Sequence, residues 1–441
     1  MENLVMLEFN KVFLSANPWK HRLVFWLGAI IIGVSIALMT LLSEWVVTIF
    51  RSISDDYRWF KFIAPPFGIA FTAWLTFRFF PGSQGSGIPQ VKTALEIPYT
   101  LSERTKLVSL RIAIGKAFLP ILGLLSGASV GFGGPATHVG ASIMASLGKV
   151  ANFPTLYMSK GLLLAGSAAG FAAMFSAPLA GIMFAIEEMG RALEERISTL
   201  VLTAIIFSGM TAYSILHYSI YFPDNPLYLP WGDEWLAIPF CGIVGGLLGS
   251  LFSWIIVSGH HFMLRLQLPY IPVAFICGCI IALIGFVSEG QTFGTGYQMA
   301  KNIMYGSAPM DPLLPVYKML ATCATFFSGI PGGLFVPSIA IGAGFGANLA
   351  NWFPIAPASV MIMLTITAYF SGMLQSPLTS FTLILEITQN HDISIPIMAA
   401  AFIASGVSKL INPQPLNRAL CDAFQQYLPE KTDEDDDGGA Q

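Results

Sequence analysis

Long apolar runs recur along the whole chain, and they predict membrane-spanning helices. The first, residues 23–50, contains a single charged residue, Glu44. A helix needs about 20 apolar residues to cross a bilayer. Further runs of this kind lie at 61–80, 106–130, 153–175, 196–220, 234–260, 270–288, 314–328, 356–374 and 391–411. The pattern predicts an all-α polytopic membrane protein.

Five shorter apolar pieces lie between these runs, at 86–97, 134–149, 178–189, 333–351 and 377–388. They are too short to cross alone, so they predict half-helices or re-entrant segments. Lipid tolerates broken helices only where they are buried in protein or face a water-filled cavity. Many broken helices are typical of transporters and channels.

The chain contains an internal similarity. Met174–Glu187 aligns with Met373–Glu386 at a difference of 199, and the pair Gly133-Gly134 falls on Gly332-Gly333 at the same difference. The alternative is chance similarity between Gly- and Ala-rich helices. We favour a duplication, with halves at 23–220 and 233–427. Such halves commonly form inverted repeats whose half-helix N-termini face an anionic substrate near the midplane.

The two ends differ in composition from the rest. Residues 1–22 carry Lys11, Lys20 and Arg22 and predict a cytoplasmic or interfacial segment, and 428–441 predict an acidic disordered tail. Both termini are therefore expected in the cytoplasm.

Composition narrows the function classes. Only 11% of residues are charged, 54% are hydrophobic and the formal net charge is -3, which gives no basic surface for nucleic acid. Mean hydropathy is +0.67. The five cysteines and six histidines show no metal-binding spacing, and no catalytic motif stands in a plausible context. We expect neither an enzyme, nor a cofactor, nor a metal site. Gly342–Gly346 predicts helix packing by small residues rather than a nucleotide loop.

Three glycine-rich stretches precede short apolar segments: 85–89 (GSGIP), 131–135 (GFGGP) and 329–337 (GIPGGLFVP). A helix N-terminus exposes unpaired N–H groups and about half a positive charge. Several such ends together can replace the water shell of an anion, and Ser86 adds a hydroxyl donor. Each stretch alone is also compatible with an ordinary turn.

Together these stretches resemble the CLC family of chloride channels and chloride/proton antiporters. Ser176–Glu188 and Leu385–Thr388 also look like signatures of that family, and the resemblance covers roughly residues 20–425. It implies an inverted-repeat helical bundle that works as a homodimer, with one anion pathway in each subunit. The expected location is the bacterial inner (plasma) membrane, and the expected partners are chloride or similar small anions and the bilayer.

The resemblance also implies site residues. Ser86 matches the serine whose hydroxyl coordinates the anion, and Gly333, Leu334 and Phe335 match the surrounding backbone amides. Gly134, at the start of the second glycine-rich helix, completes this set.

Three positions depart from the family pattern. Gly133 stands where the gating glutamate is expected, Phe132 replaces a neighbouring arginine, and Asn417 replaces a tyrosine that donates its hydroxyl to the anion. Glycine can neither compete with the anion nor carry a proton. Asn417 retains an N–H donor for the anion. Lys116 matches an intramembrane lysine of the family.

The internal proton-transfer glutamate matches Glu188, beside Glu187, and both are candidates for a proton pathway. A second interpretation makes Glu188 a helix-end carboxylate facing cytoplasmic water, because Arg191 follows within one turn. His138 is expected to be a neutral, hydrogen-bonded packing residue rather than a proton acceptor.

Our first functional hypothesis is passive, chloride-preferring anion transport, because Gly133 removes the gate. The alternative is a chloride/proton antiporter that uses Glu188 and a non-standard outer proton site. A fluoride exporter ranks below both, because that branch keeps the glutamate. From another class, the chain could be a non-conducting pseudo-transporter or dimer partner.

Overall fold

A computed structural model describes residues 16–96, 107–151, 156–190, 199–216, 227–306 and 311–421, and the regular elements in these ranges are helices. The helices are α1 Ala16–Asp56, α2 Phe60–Phe79, α3 Ile88–Glu96, α4 Leu110–Leu125, α5 Gly133–Val150, α6 Leu156–Phe175, α7 Pro178–Phe184, α8 Thr199–Leu216, α9 Ala237–Leu266, α10 Tyr270–Val287, α11 Tyr297–Met304, α12 Leu314–Phe327, α13 Phe335–Trp352, α14 Ala358–Leu374, α15 Pro377–Thr388, α16 Ser394–Ile411 and α17 Leu416–Ala419. A π-helical turn, Ala185–Met189, continues α7. Most of the predicted N-terminal segment, the acidic tail and Arg191 lie outside the described residues.

The predicted spans and half-helices correspond to helices of the structure, but the runs at 314–328 and 356–374 form helices of only 14 and 17 residues, Leu314–Phe327 and Ala358–Leu374, which are shorter than a full span. Within the described residues, six stretches are long and apolar enough to cross a membrane: Arg22–Asp56, Phe60–Phe79, Thr199–Leu216, Asp233–Leu266, Tyr270–Val287 and Ser394–Ala419. Their outer faces expose large apolar side chains such as Leu27, Phe71, Ile243 and Leu283. Such a surface suits lipid, since soluble proteins expose only small apolar patches.

Two helices were not predicted. The α11 helix has Gln298, Lys301 and Asn302 among its eight residues, so hydropathy does not detect it. The α17 helix has only four residues. The α1 helix also runs beyond the predicted 23–50 at both ends, because polar residues at its ends continue the helix.

The two halves form an inverted repeat, but the predicted register is wrong for the glycine motif. Helices α5 and α13 both have 18 residues and begin at Gly133 and Phe335, a difference of 202. Helices α7 and α15 begin at Pro178 and Pro377, a difference of 199. The change arises because α14 has 17 residues where α6 has 20. The structural counterpart of Gly133 is therefore Phe335, not Gly332.

Three pairs of equivalent helices pack against each other: α5 with α13, α7 with α15, and α2 with α10. A helix that packs on its own counterpart lies beside the axis that relates the halves. The starts of α5 and α13 thus meet near this axis, where the candidate site lies.

Candidate anion-binding site

The three glycine-rich stretches meet in the folded chain. Gly131 and Gly333 exchange two backbone hydrogen bonds, with N···O distances of 2.8 and 2.7 Å. The Gly332 N–H donates to the Gly85 carbonyl at 3.2 Å. These bonds bring the starts of α3, α5 and α13 together, as the sequence predicted.

Ser86 lies in the first of these stretches, between two glycines of positive φ. Gly85 has φ +70° and Gly87 has φ +103°, backbone conformations that residues other than glycine rarely adopt. Ser86 is buried, and its Oγ accepts a long bond of 3.5 Å from the Ile88 N–H. Within the described residues its hydroxyl proton has no acceptor, so it remains available to an anion.

Gly134 packs directly on Ser86. A Cβ atom at this position would collide with the Oγ and the backbone of Ser86. Glycine is therefore required for α5 to approach the start of α3. Gly134 therefore lies directly beside Ser86.

The backbone amides of the third stretch divide into two groups. The Gly333 N–H is occupied by the Gly131 carbonyl. The N–H groups of Leu334 and Phe335 begin α13, and the first four N–H groups of a helix have no partner inside it. Both residues are buried. The free donors are thus at Leu334 and Phe335, whereas Gly333 holds the loops together.

Lys116 supplies a buried positive charge behind the first stretch. Its Nζ donates to the carbonyls of Ser83, Gln84 and Gly85 at 2.9, 3.3 and 3.0 Å. Among the described residues no carboxylate lies within ion-pair distance of it. Lys116 therefore fixes the loop that carries Ser86 and adds a positive potential near it.

Gly133 faces the aromatic ring of its own counterpart. A Cβ atom at Gly133 would lie 3.0 Å from Cδ2 and 3.3 Å from Cβ of Phe335. The Phe335 ring is buried and packs edge-on against Phe171 and Phe370, with centroid distances of 5.9 and 5.2 Å. Any side chain at position 133 must therefore displace this ring slightly.

Asn417 and Glu188 lie together in a buried network. The Asn417 Nδ2 donates to Glu188 Oε1 at 3.2 Å, and the Ser376 Oγ donates to Oε2 at 2.7 Å. Lys92 Nζ forms an ion pair with Oε1 at 2.9 Å. Glu188 is 1% exposed, so the interpretation of a water-facing carboxylate is wrong. The Asn417 amide, which was expected to reach the anion, thus donates one of its two N–H groups to Glu188.

Glu187 has a different environment from Glu188. Its carboxylate accepts the backbone N–H groups of Leu378 and Thr379 at 3.2 and 2.8 Å, at the start of α15. In return, Glu386 accepts the N–H groups of Leu179 and Ala180 at 3.0 and 2.7 Å, at the start of α7. A carboxylate at a helix N-terminus compensates unpaired N–H groups and the helix dipole. Glu187 is thus a capping residue.

His138 and the Gly342–Gly346 stretch behave as predicted. The His138 ring is fully buried and hydrogen-bonded, to the Leu107 carbonyl at 2.9 Å and the Ser142 hydroxyl at 3.3 Å. Gly342 and Gly346 lie against the backbone of Ile366 and Ile362, which allows α13 and α14 to pack closely.

Lys92 and Ser376 were missed by the sequence analysis. One signal was available for Lys92. An ionisable residue inside a membrane protein usually has a partner of opposite charge. Lys92 lies in the apolar piece 86–97 and Glu188 in the piece 178–189. Ser376 gave no signal, because serine is common before helices that begin with proline.

Comparison with known proteins places the chain in a family. The model of the family described as voltage gated chloride channel matches residues 68–409. The chain belongs to this family. It is therefore an integral membrane protein, and its general function is CLC-type anion transport.

Individual relatives and structures agree with this assignment. The H(+)/Cl(-) exchange transporter ClcA of Vibrio cholerae serotype O1 (strain M66-2) is 29% identical over an alignment of 365 residues, which covers 78% of this chain and 75% of that protein. ClcA of Yersinia pestis bv. Antiqua (strain Angola) is 27% identical over 363 residues, covering 78% and 74%. The crystal structure of a slow cyanobacterial Cl-/H+ antiporter matches with TM-score 0.78 and 23% identity, over 92% of this chain and 98% of that one. This last match shows the CLC fold.

Proposed function

We propose that the chain transports chloride or similar small anions passively, through a pathway in which Ser86 and the Leu334 and Phe335 amides bind the ion. The observation that carries the proposal is Gly133, at the start of α5. No side chain there can occupy the outer part of the pathway or carry a proton. The Phe335 ring, which lies against this position, is apolar and cannot replace a carboxylate.

The inner part of the pathway supports the same proposal. Glu188 is buried and held by Lys92, Asn417 and Ser376. Glu187 caps α15. Protonation would make each carboxyl a donor and would require it to give up a hydrogen bond that its ionised form accepts, and all four carboxylate oxygens accept such bonds.

The second candidate is a chloride/proton antiporter in which Glu188 carries the proton together with a non-standard outer site. It is favoured by the names of the relatives, which are H(+)/Cl(-) exchange transporters at 27% and 29% identity. A third candidate, a non-conducting pseudo-transporter, is motivated by the departures at Phe132, Gly133 and Asn417.

The test is a paired flux measurement on the purified full chain in liposomes. A chloride gradient is imposed, and chloride efflux and external pH are recorded together. If transport is passive, chloride moves down its gradient and does not drive protons against a proton gradient. Uphill proton movement that requires Glu188 would establish the antiporter instead. Absence of chloride flux from folded protein would establish the pseudo-transporter.

The setting of the transporter belongs to the same proposal. By resemblance to the family we place it in a bacterial inner membrane as a homodimer with cytoplasmic termini and a separate anion pathway in each subunit. Light scattering of the detergent-solubilised protein tests the dimer, and a dominant monomer would contradict it. Accessibility of a cysteine added at either end in inside-out vesicles tests the orientation.

A further inference from the structure

A buried ion pair joins α3, the helix that begins beside Ser86, to the π-helical turn after α7. Lys92 on α3 and Glu188 on the π-helical turn are 2% and 1% exposed, and their Nζ–Oε1 distance is 2.9 Å. Two apolar residues of similar shape usually stabilise a core at least as well as a buried pair. Charged residues inside a membrane protein are therefore functional candidates.

The pair is part of a larger set of donors around one carboxylate. Lys92 and Asn417 donate to Oε1 and Ser376 to Oε2, so the donors come from α3, α17 and the turn before α15. An ionised carboxylate can accept from all of them at once, because it has only acceptor sites. A protonated carboxyl carries a donor of its own, and one of these bonds would have to be given up.

The same elements carry the anion site. The α3 helix begins two residues after Ser86. Cys421 lies two residues after the end of α17, and its Sγ contacts the Pro89 carbonyl of α3 at 3.5 Å. Lys92 therefore links the helix that starts at the anion site to the carboxylate that turns Asn417 away from it.

We propose that Lys92 is a positioning residue that keeps Glu188 ionised and fixed, so that this carboxylate does not accept a proton from the anion pathway. The inference rests on the proposed passive transport and explains how an internal glutamate can be present without coupling. It also assigns the orientation of Asn417 to the pair.

The other titratable side chains on the elements around Glu188 are engaged elsewhere or lie towards the surface. Glu187 and Glu386 bind the backbone amides at the starts of α15 and α7. Arg418 is exposed and Lys160, at the start of α6, is half-buried. Lys92 is thus a buried cation in direct contact with the Glu188 carboxylate, at 2.9 Å.

The experiment compares Lys92→Met, Glu188→Gln and the double variant of the full chain in liposomes. Chloride flux is measured at mildly acidic and mildly alkaline pH, with proton flux recorded. In the original protein and in Glu188→Gln the chloride flux is expected to be independent of pH. In Lys92→Met it should differ by about fivefold between the two pH values, the effect of one unit charge close to the pathway. The double variant should lose this dependence.

Additional variants keep the test decisive. A lone buried carboxylate destabilises a fold, so Lys92→Gln, which retains a donor without the charge, serves where Lys92→Met does not fold. Lys92→Arg should behave like the original protein. A pH-independent flux in the folded Lys92→Met or Lys92→Gln variant overturns the inference, as does pH dependence that persists in the double variant. Proton movement in the original protein would instead overturn the proposed passive function.

Discussion

Glu187 and Glu386 cap helices reciprocally across the axis that relates the two halves. Glu187, just after α7, caps the start of α15, and Glu386, in α15, caps the start of α7. Each carboxylate takes two backbone N–H groups at the start of the helix from the other half, with the shortest bonds at 2.8 and 2.7 Å. The two residues are 199 apart, the same difference as Pro178 and Pro377. The arrangement is reciprocal, and each acid compensates the unpaired N–H groups of a helix start.

We predict that Glu187→Gln and Glu386→Gln each destabilise the protein without changing proton movement. The loss of a capping carboxylate costs roughly 0.5–2 kcal/mol. Both variants should therefore lower the thermal unfolding temperature of the detergent-solubilised protein at a fixed heating rate. Glu289→Gln is the control, because Glu289 is exposed. An unchanged unfolding temperature together with altered proton flux would contradict the capping role.

A second prediction concerns Ser86→Ala, which removes the hydroxyl donor from the proposed site. A hydrogen bond to a charged group contributes about 1.5–3 kcal/mol, so chloride should bind at least about tenfold more weakly. Isothermal titration of chloride into the purified protein measures this. Ser83→Ala is a matched control in the same loop, because the buried Ser83 hydroxyl has no hydrogen-bond partner in the part of the chain that the structure describes. Equal chloride affinity in Ser86→Ala and Ser83→Ala would remove Ser86 from the site.

Gly134→Ala should disrupt the contact between α5 and α3. The added Cβ would collide with the Ser86 backbone and hydroxyl, so we expect weaker chloride binding and a lower unfolding temperature. Gly161→Ala is the control, because no atom of the described residues lies within 4 Å of a Cβ at that helical position. Alanine in a helix is generally more stable than glycine by about 1 kcal/mol. If both variants behaved alike, the close approach of Gly134 to Ser86 would be unimportant.

Restoring a carboxylate at the outer position gives a fourth prediction. Gly133→Glu should reduce chloride flux by about tenfold at neutral pH, since a negative charge close to the pathway repels the anion, and acid should relieve the block by protonating the side chain. The glutamine side chain in Gly133→Gln has nearly the same size as glutamate but does not titrate, so chloride flux through this variant should be reduced and independent of pH. The Phe335 ring must shift in both, which makes them a matched pair. The same pH response in both variants would exclude a charge effect.

The sequence predicted the helices and the meeting of the glycine-rich stretches because both depend on local signals. Apolar length determines the spans, and Gly and Pro mark helix starts at 88, 133 and 335. The helix Tyr297–Met304 was not predicted, because it is short and rich in polar residues and therefore has no apolar run that hydropathy could detect. The two glycine motifs were aligned in the wrong register because α14 is three residues shorter than α6. A difference in length inside a helix is not marked by Gly or Pro in the sequence.

The details of the site depend on contacts between distant residues. Lys92 and Glu188 are 96 positions apart, and Asn417 and Glu188 are 229 apart. A motif predicts that Asn417 has an N–H to offer, but only the folded chain shows that a nearby carboxylate receives it. In the same way, the Gly333 amide matches a donor in the family pattern, and its bond to Gly131 becomes visible only when the two loops are placed side by side.

The equivalence of Gly133 and Phe335 has a consequence for direction. Two identical inverted halves would present the same walls to an ion arriving from either side of the membrane. Here one half offers bare backbone at this position and the other offers an aromatic ring that lies against it. The two halves are therefore asymmetric at this position, so ions that enter from opposite compartments meet different surfaces.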